Sequence, residues 1–252
     1  MREAFILPAV IGHRGAAAHA PENTLAGFRK AATLGVAMVE FDVRLTADGT
    51  AVLSHDSVPR RTLGRERAIE ESAFADLVGL DAGAWFGPGF AGERLPTLSQ
   101  ALGTLAGLGV GADIEVKPGH PFAAAVIEAI GAALAEAWPA SRPGPLVSSF
   151  DLGLLAEAAR RLPALPRGLN LNAAVGNWRR TAMELGCFSV HVREGNLGGR
   201  AAEAVRKAGF RLAAFTVNDP ARARELWSWG VDALFSDVPD VLLAVARKAA
   251  PA

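Results

Sequence analysis

In the run Val39-Glu40-Phe41-Asp42-Val43 two carboxylates sit two residues apart. On an extended strand they project from one face while Phe41 takes the other. The run Ile114-Glu115-Val116-Lys117 repeats the device with an acid and an amine. If these strands are neighbours, Glu40, Asp42 and Glu115 converge, and three carboxylates that close need either raised pKa values or a cation among them. Oxygen-only donors favour a hard ion, one Mg²⁺ or Ca²⁺, over zinc. The plainer alternative makes them surface acids at loop edges, or ion-pair partners of Arg14 and Arg44.

The chain holds five histidines, and two of them end apolar runs: His13 in Ile11-Gly12-His13-Arg14-Gly15, and His55 after Ala51-Val52-Leu53-Ser54. Imidazoles that titrate near neutrality suit a general base and a general acid. Arg14 and Lys117 place cations among the acids, as a site that admits a phosphate requires. His19, His120 and His191 have no acid at a telling spacing. His191 falls within a predicted strand and is expected to pack in the core or touch a substrate at the rim.

Those groups need strands to position them. Apolar runs recur at residues 9–12, 37–43, 111–116, 145–149, 168–171, 188–192, 211–217 and 233–235. Segments with helical spacing lie between most of them, at 24–34, 121–138, 151–162, 199–208, 220–229 and 238–246. Helix-start signals occur at Asn23-Thr24, Ser149-Phe150-Asp151, Asn218-Asp219-Pro220 and Ser236-Asp237, and Gly35, Gly209 and Gly230 stand where helices should stop. Eight strands alternating with helices predict an α/β protein, a single (β/α)₈ TIM barrel over residues 1–252. An open doubly wound sheet is the rival, but no Gly-x-Gly-x-x-Gly follows the first strand. Residues 56–96 break the alternation and read as an insertion after the second strand, long enough to form a small cap over the mouth.

Composition narrows the function. The 252 residues balance 26 Lys and Arg against 26 Asp and Glu, so an electrostatic grip on nucleic acid or anionic lipid is not expected. The single cysteine, Cys187, allows no intrachain disulfide and reads as a small buried hydrophobe. The absence of tyrosine removes mechanisms that use a phenol. No apolar run reaches the ~18 residues of a membrane span, and the opening apolar stretch is broken by Pro8. A cytoplasmic enzyme acting on a small molecule is expected, without stable membrane association; a homodimer is left open.

With these residues in hand, the ordered set His13-Arg14-Gly15, Pro21-Glu22-Asn23-Thr24, Glu40-Phe41-Asp42-Val43, Asp48-Gly49, His55-Asp56, Glu115-Val116-Lys117-Pro118, Thr216-Val217-Asn218 and Ser236-Asp237-Val238-Pro239 resembles the glycerophosphodiester phosphodiesterase family. The resemblance spans nearly the whole chain. It implies hydrolysis of diesters such as glycerophosphocholine or glycerophosphoethanolamine to sn-glycerol 3-phosphate and an alcohol. By that likeness Glu40, Asp42 and Glu115 bind the divalent metal, His13 and His55 are the acid–base pair, Arg14 and Lys117 hold the phosphate, and Glu22 supports the first loop by bonding His13 or Arg14. The attacker is either water or the glycerol's own hydroxyl through a cyclic phosphate. Where the family often has tryptophan before Thr-Val-Asn this chain has Phe215, which keeps an apolar ring for the glycerol backbone but loses the indole N–H. Phe150 and the aromatic cluster at 85–90 are expected either to complete that apolar wall or to lie in the core. A phospholipase D-like enzyme on lysophospholipids is an alternative, as is a barrel that only binds phosphorylated ligands, although the latter should lack an acid or a histidine. A sugar-phosphate isomerase or aldolase fits less well, since no lysine stands isolated from carboxylates as a Schiff-base former.

Overall fold

Short β-branched segments, each too brief to be stable alone, gain a fold here by pairing in a ring. The computed structural model describes residues 5–119 and 123–249. Its strands are β1 (Val10–Gly12), β2 (Met38–Leu45), β3 (Ala51–Leu53), β4 (Gly111–Val116), β5 (Leu146–Ser149), β6 (Arg167–Leu171), β7 (Ser189–Arg193), β8 (Arg211–Phe215) and β9 (Ala233–Ser236). All but β3 run parallel in the order β1-β9-β8-β7-β6-β5-β4-β2, and a β1–β2 pairing closes the ring. This is a (β/α)₈ barrel, as the alternation predicts. His120 and the start of the helix expected at 121–138 lie outside the described residues.

The helices are α1 (Leu25–Thr33), α2 (Arg60–Leu63), α3 (Leu98–Leu108), α4 (Ala123–Ala137), α5 (Leu152–Arg161), α6 (Trp178–Glu184), α7 (Gly199–Lys207), α8 (Pro220–Ser228) and α9 (Pro239–Ala249). Three begin on the predicted caps: Thr24 Oγ1 accepts from Gly27 N, Asp151 from Leu154 N, and Asp219 from Ala221 N and Arg222 N. Each cap satisfies donors that a helix start otherwise leaves unpaired. The outward residues of β2, Val39, Phe41 and Val43, pack with Phe28 of α1 and with Leu98 and Leu102 of α3 in one buried cluster. Burying that face leaves Glu40 and Asp42 on the other, inside the barrel.

Two features depart from the expected alternation. β2 continues past the barrel and folds back through the Thr46–Thr50 turn onto antiparallel β3, with Val43 opposite Leu53. The segment beyond β3 carries α2 and three 3₁₀ turns around a small core of Val52, Leu63, Ile69, Leu77, Ala82 and Leu95. It is pinned beside the strand ends where Arg44 pairs with Glu70 and Arg61 with Glu22.

Candidate active site

Backbone register brings the acids together. Asp42 of β2 lies opposite Glu115 of β4, and Glu40 opposite Asp113. One ligand oxygen from each of Glu40, Asp42 and Glu115 lies within 4.8 Å of the others. At the end of β1 the chain reverses so tightly that a Cβ on Gly12 would sit 2.0 Å from Gly15 O, which only glycine avoids. The reversal carries Arg14, at φ 49°, across the acids: its backbone N–H donates to Glu40 Oε2 at 3.0 Å and its Nε lies 3.4 Å from Asp42 Oδ2. From the facing side Lys117 Nζ pairs with Asp42 Oδ1 at 2.8 Å and with Glu115.

The acids share their charge unevenly. Burial pushes the Glu40 carboxyl well above the usual range, and the Asp42 and Glu115 charges push the same way. Burial and then Asp42 also raise Glu115, against the pull of Lys117. Burial acts upward on Asp42 too, but Lys117, Arg14 and His55 outweigh it and hold this carboxyl well below the usual range. Glu40 Oε1 is buried with no hydrogen-bond partner among the described residues. A buried acceptor in that state is costly, and a divalent cation among the three carboxylates would satisfy it. The donor set therefore fits one hard divalent ion.

Both proposed acid–base residues arrive with a carboxylate behind them. His13 Nδ1 lies 2.7 Å from Asp237 Oδ1, and its Nε2 is turned towards Glu40 Oε2 at 3.9 Å. Burial alone would raise Asp237, but the bond and charge of His13 outweigh it and keep the carboxyl low. Ionised Asp237 therefore accepts a hydrogen bond from the Nδ1–H of His13, which leaves Nε2 free for the cavity. His55 repeats the arrangement with Asp56 Oδ1 at 2.7 Å from Nδ1. Burial draws the His55 imidazole down, which favours its neutral form, and the Asp42 charge opposes this.

These groups line a cavity of about 530 Å³, within the range of small-molecule sites. Its floor is polar: Asp113 accepts from Ser148 Oγ at 2.8 Å, His191 pairs with Ser189 at 2.8 Å, and Asn170 is buried beside them. Burial raises Asp113 well above the usual range and pulls His191 down to about 3. The mouth carries Phe215 and Phe150, whose rings meet edge-on with centroids 5.7 Å apart.

Every residue singled out for chemistry in the sequence is in or beside this cavity. His13, His55, Arg14, Lys117, Phe215, Glu40, Asp42 and Glu115 line it, and Glu22 stands behind Arg14, accepting from Nη1 at 2.9 Å. Of the plainer alternatives, Glu40 and Asp42 are buried rather than surface acids, and Arg44 bonds Glu70 and the carbonyls of His55 and Pro118 instead of the cluster, whereas Arg14 does pair with Asp42. The aromatic cluster at 85–90 does not line the cavity; Trp85 instead lies under Arg61, 5.0 Å from its guanidinium carbon. His191 belongs to the floor rather than the rim. His19 does have an acidic partner, Asp240 at 2.8 Å, across 221 positions of sequence.

Three contributors went unassigned in the sequence. Asp237 was legible as part of a helix start and of the motif Ser236-Asp237-Val238-Pro239, with no role attached to it, yet it holds His13. Asp56 adjoins His55 in sequence, the one local signal of its role. Asn23 clamps Asp42 in both directions, donating through Nδ2 to Oδ2 at 2.8 Å and accepting the Asp42 N–H at 3.1 Å.

A closed parallel barrel whose strand ends gather three acids, two carboxylate-backed imidazoles and two cations defines a phosphoester hydrolase of the TIM-barrel class. Residues 13–241 match the glycerophosphoryl diester phosphodiesterase family, and the chain belongs to it. The chain is an enzyme, a glycerophosphodiester phosphodiesterase. It is 31% identical to the glycerophosphodiester phosphodiesterase of Caldanaerobacter subterraneus subsp. tengcongensis over 239 residues, 95% of this chain and 98% of that one. Among solved structures it is similar to an Oleispira antarctica phosphodiesterase in complex with the product sn-glycerol-3-phosphate, with a TM-score of 0.93 and 35% identity over 96% of this chain and 97% of that one. The glycerophosphodiester phosphodiesterase of Agrobacterium tumefaciens superposes with a TM-score of 0.76 at 28% identity, covering 94% of this chain and 100% of the other.

Proposed function

We propose that this enzyme hydrolyses glycerophosphodiesters, glycerophosphocholine and glycerophosphoethanolamine among them, to sn-glycerol 3-phosphate and the free alcohol. The observation that carries the reading is the meeting of Glu40, Asp42 and Glu115 with His13 and His55 in one cavity. The product bound by the Oleispira antarctica relative supports it. Glu40, Asp42 and Glu115 hold one divalent cation, Mg²⁺ or Ca²⁺, which when bound draws charge from the phosphoryl group. Arg14 and Lys117 bind the phosphate oxygens, and both stay protonated because neighbouring acids outweigh the burial that would lower them. One imidazole takes the proton of the attacking hydroxyl at Nε2, and the other gives a proton to the departing alkoxide, which is too basic to leave unaided. Asp237 and Asp56 fix the tautomers that this exchange needs. Phe215 and Phe150 supply the apolar wall at the mouth.

The whole chain acts as one catalytic domain, with residues 56–96 capping its rim through the Arg61–Glu22 pair. No helix among the described residues is long and apolar enough to cross a membrane, and the reading keeps the cytoplasmic location expected from the sequence. The test is direct. Purified protein is incubated with glycerophosphocholine, glycerophosphoethanolamine or bis(p-nitrophenyl) phosphate, with and without each metal, and the products are measured. Release of glycerol 3-phosphate that stops with a chelator supports the reading; no release from any glycerophosphodiester with either metal overturns it.

A further inference from the structure

The cavity holds one more cation, which the proposed chemistry does not use. Arg193 ends β7 at the mouth, lines the cavity and is exposed. The other lining cations are committed: Arg14 to Glu22 and Asp42, and Lys117 to Asp42 and Glu115. The neighbouring acid, Glu194, is engaged by Arg222 at 2.9 Å. Among the described residues the Arg193 guanidinium has no carboxylate, carbonyl or aromatic partner, so its donors face the cavity mouth unmatched.

The backbone that carries it is fixed. Arg222 bonds the carbonyls of Glu194 and Leu197 and stacks 4.9 Å from the centre of the Trp229 ring. Asn196 Nδ2 donates to Asn172 O at 2.8 Å, tying the same turn to the end of β6. On its other side Arg193 is in register with Phe215, which packs against Phe150. A planar fork of donors on a pinned turn, next to apolar rings that thin the surrounding water, recognises an oxyanion. The diester's own phosphate already has Arg14 and Lys117 further inside.

We propose that Arg193 reads a second anionic group, a carboxylate or a phosphomonoester, on the alcohol that the enzyme releases. This deepens the proposed function and rests on it: the preferred substrates are glycerophosphodiesters with an acidic headgroup.

Glycerophosphoserine and glycerophosphoethanolamine differ by one carboxylate, so they isolate the contact. With the metal-supplied enzyme, kcat/KM for each diester is measured by glycerol 3-phosphate release for the natural chain, Arg193→Gln and Arg193→Lys. A charge-assisted contact of this kind predicts about a tenfold loss for glycerophosphoserine in Arg193→Gln, with glycerophosphoethanolamine unchanged and Arg193→Lys in between. Glycerophosphoglycerol with and without a terminal phosphate repeats the comparison for a phosphomonoester, and a selective loss in either pair supports the proposal. Equal losses within both pairs would assign Arg193 to the scissile phosphate or to structure, and no loss in any pair would make it a bystander; either result overturns the proposal. If the natural chain cleaves none of these diesters, the proposed function fails by itself. Calorimetric binding of the same pairs then decides Arg193: selective weakening of the acidic ligand in Arg193→Gln supports it, and equal affinities overturn it.

Discussion

Replacing Asp237 with asparagine changes one atom and should disable His13. The two Asp237 oxygens are spoken for: Oδ1 faces His13 Nδ1 at 2.7 Å, and Oδ2 accepts from Asn218 Nδ2 at 2.8 Å. Asn218 cannot flip its amide, because its Oδ1 accepts from Asp237 N at 2.9 Å and from Ser236 Oγ at 3.1 Å. The amide of an asparagine at 237 must therefore turn its oxygen to Asn218 and its NH₂ to His13. Facing a donor, His13 Nδ1 gives up its proton, and Nε2 becomes an N–H pointed at the cavity. A base is then blocked by its own hydrogen. Loss of the charge-assisted bond is worth ~1.5–3 kcal/mol, or roughly 10- to 150-fold in rate. Loss of general acid–base function is worth ~10²–10⁴-fold. We expect kcat to fall at least ~10²-fold with KM changed by less than about threefold, the pattern of a lost transition-state interaction. Steady-state kinetics on Asp237→Asn, with thermal melting to confirm the fold, provides the assay. A folded variant with kcat within about threefold of the natural chain would refute the reasoning.

Other expectations follow from the same geometry. Asn23→Ala removes both bonds that orient Asp42 and should weaken metal affinity about 10- to 100-fold; Asn23→Gly, which keeps the φ of 56° accessible, should weaken it as much, so a normal affinity in the glycine variant would deny the positioning role. Lys117→Ala should raise KM for the diester, and unaltered KM and kcat together would contradict a phosphate contact. His191 titrates near 3 when folded against ~6.5 when unfolded, so between those values the unfolded chain binds the extra proton and stability falls as pH drops. Asp113, raised by burial, pulls the other way above its unfolded value. His191→Gln should therefore lose less stability than the natural chain between pH 6.5 and 4, by up to a few kcal/mol, and parallel melting curves across that range would contradict this.

Much of this was legible because barrel strands write their own signature. Each of the eight barrel strands overlaps an apolar run read from sequence, and the i, i+2 spacing of Glu40 and Asp42 puts both inside the ring once Phe41 is buried against Phe28. Three helices went unread. α2 is a single turn of four residues inside the irregular 56–96 stretch. α3 follows the irregular 56–96 stretch, although its capping box, Thr97 with Gln100, was available as a local signal. α6 is only seven residues long, too brief for a periodic pattern to emerge. β3 was visible as an apolar run, and Asp48-Gly49 marks the hairpin that joins it to β2. What remained hidden depends on closure of the barrel. Asp237 meets His13 across 224 positions, at the seam where β9 joins β1, and no local pattern reports that contact. The polar floor is likewise a product of register: Gly168 leaves room for the His191 ring, which a Cβ there would approach to 2.6 Å.

The central claim is that three carboxylates on adjacent strands hold one divalent ion on which turnover depends. Calorimetric titration of chelator-stripped protein with Mg²⁺ and with Ca²⁺ tests it most directly, comparing the natural chain with Glu40→Gln and Asp42→Asn. We predict one site per chain in the natural protein, and loss of that site together with glycerol 3-phosphate release in both variants. Saturable binding that survives both substitutions, or full turnover in stripped protein, would contradict the account.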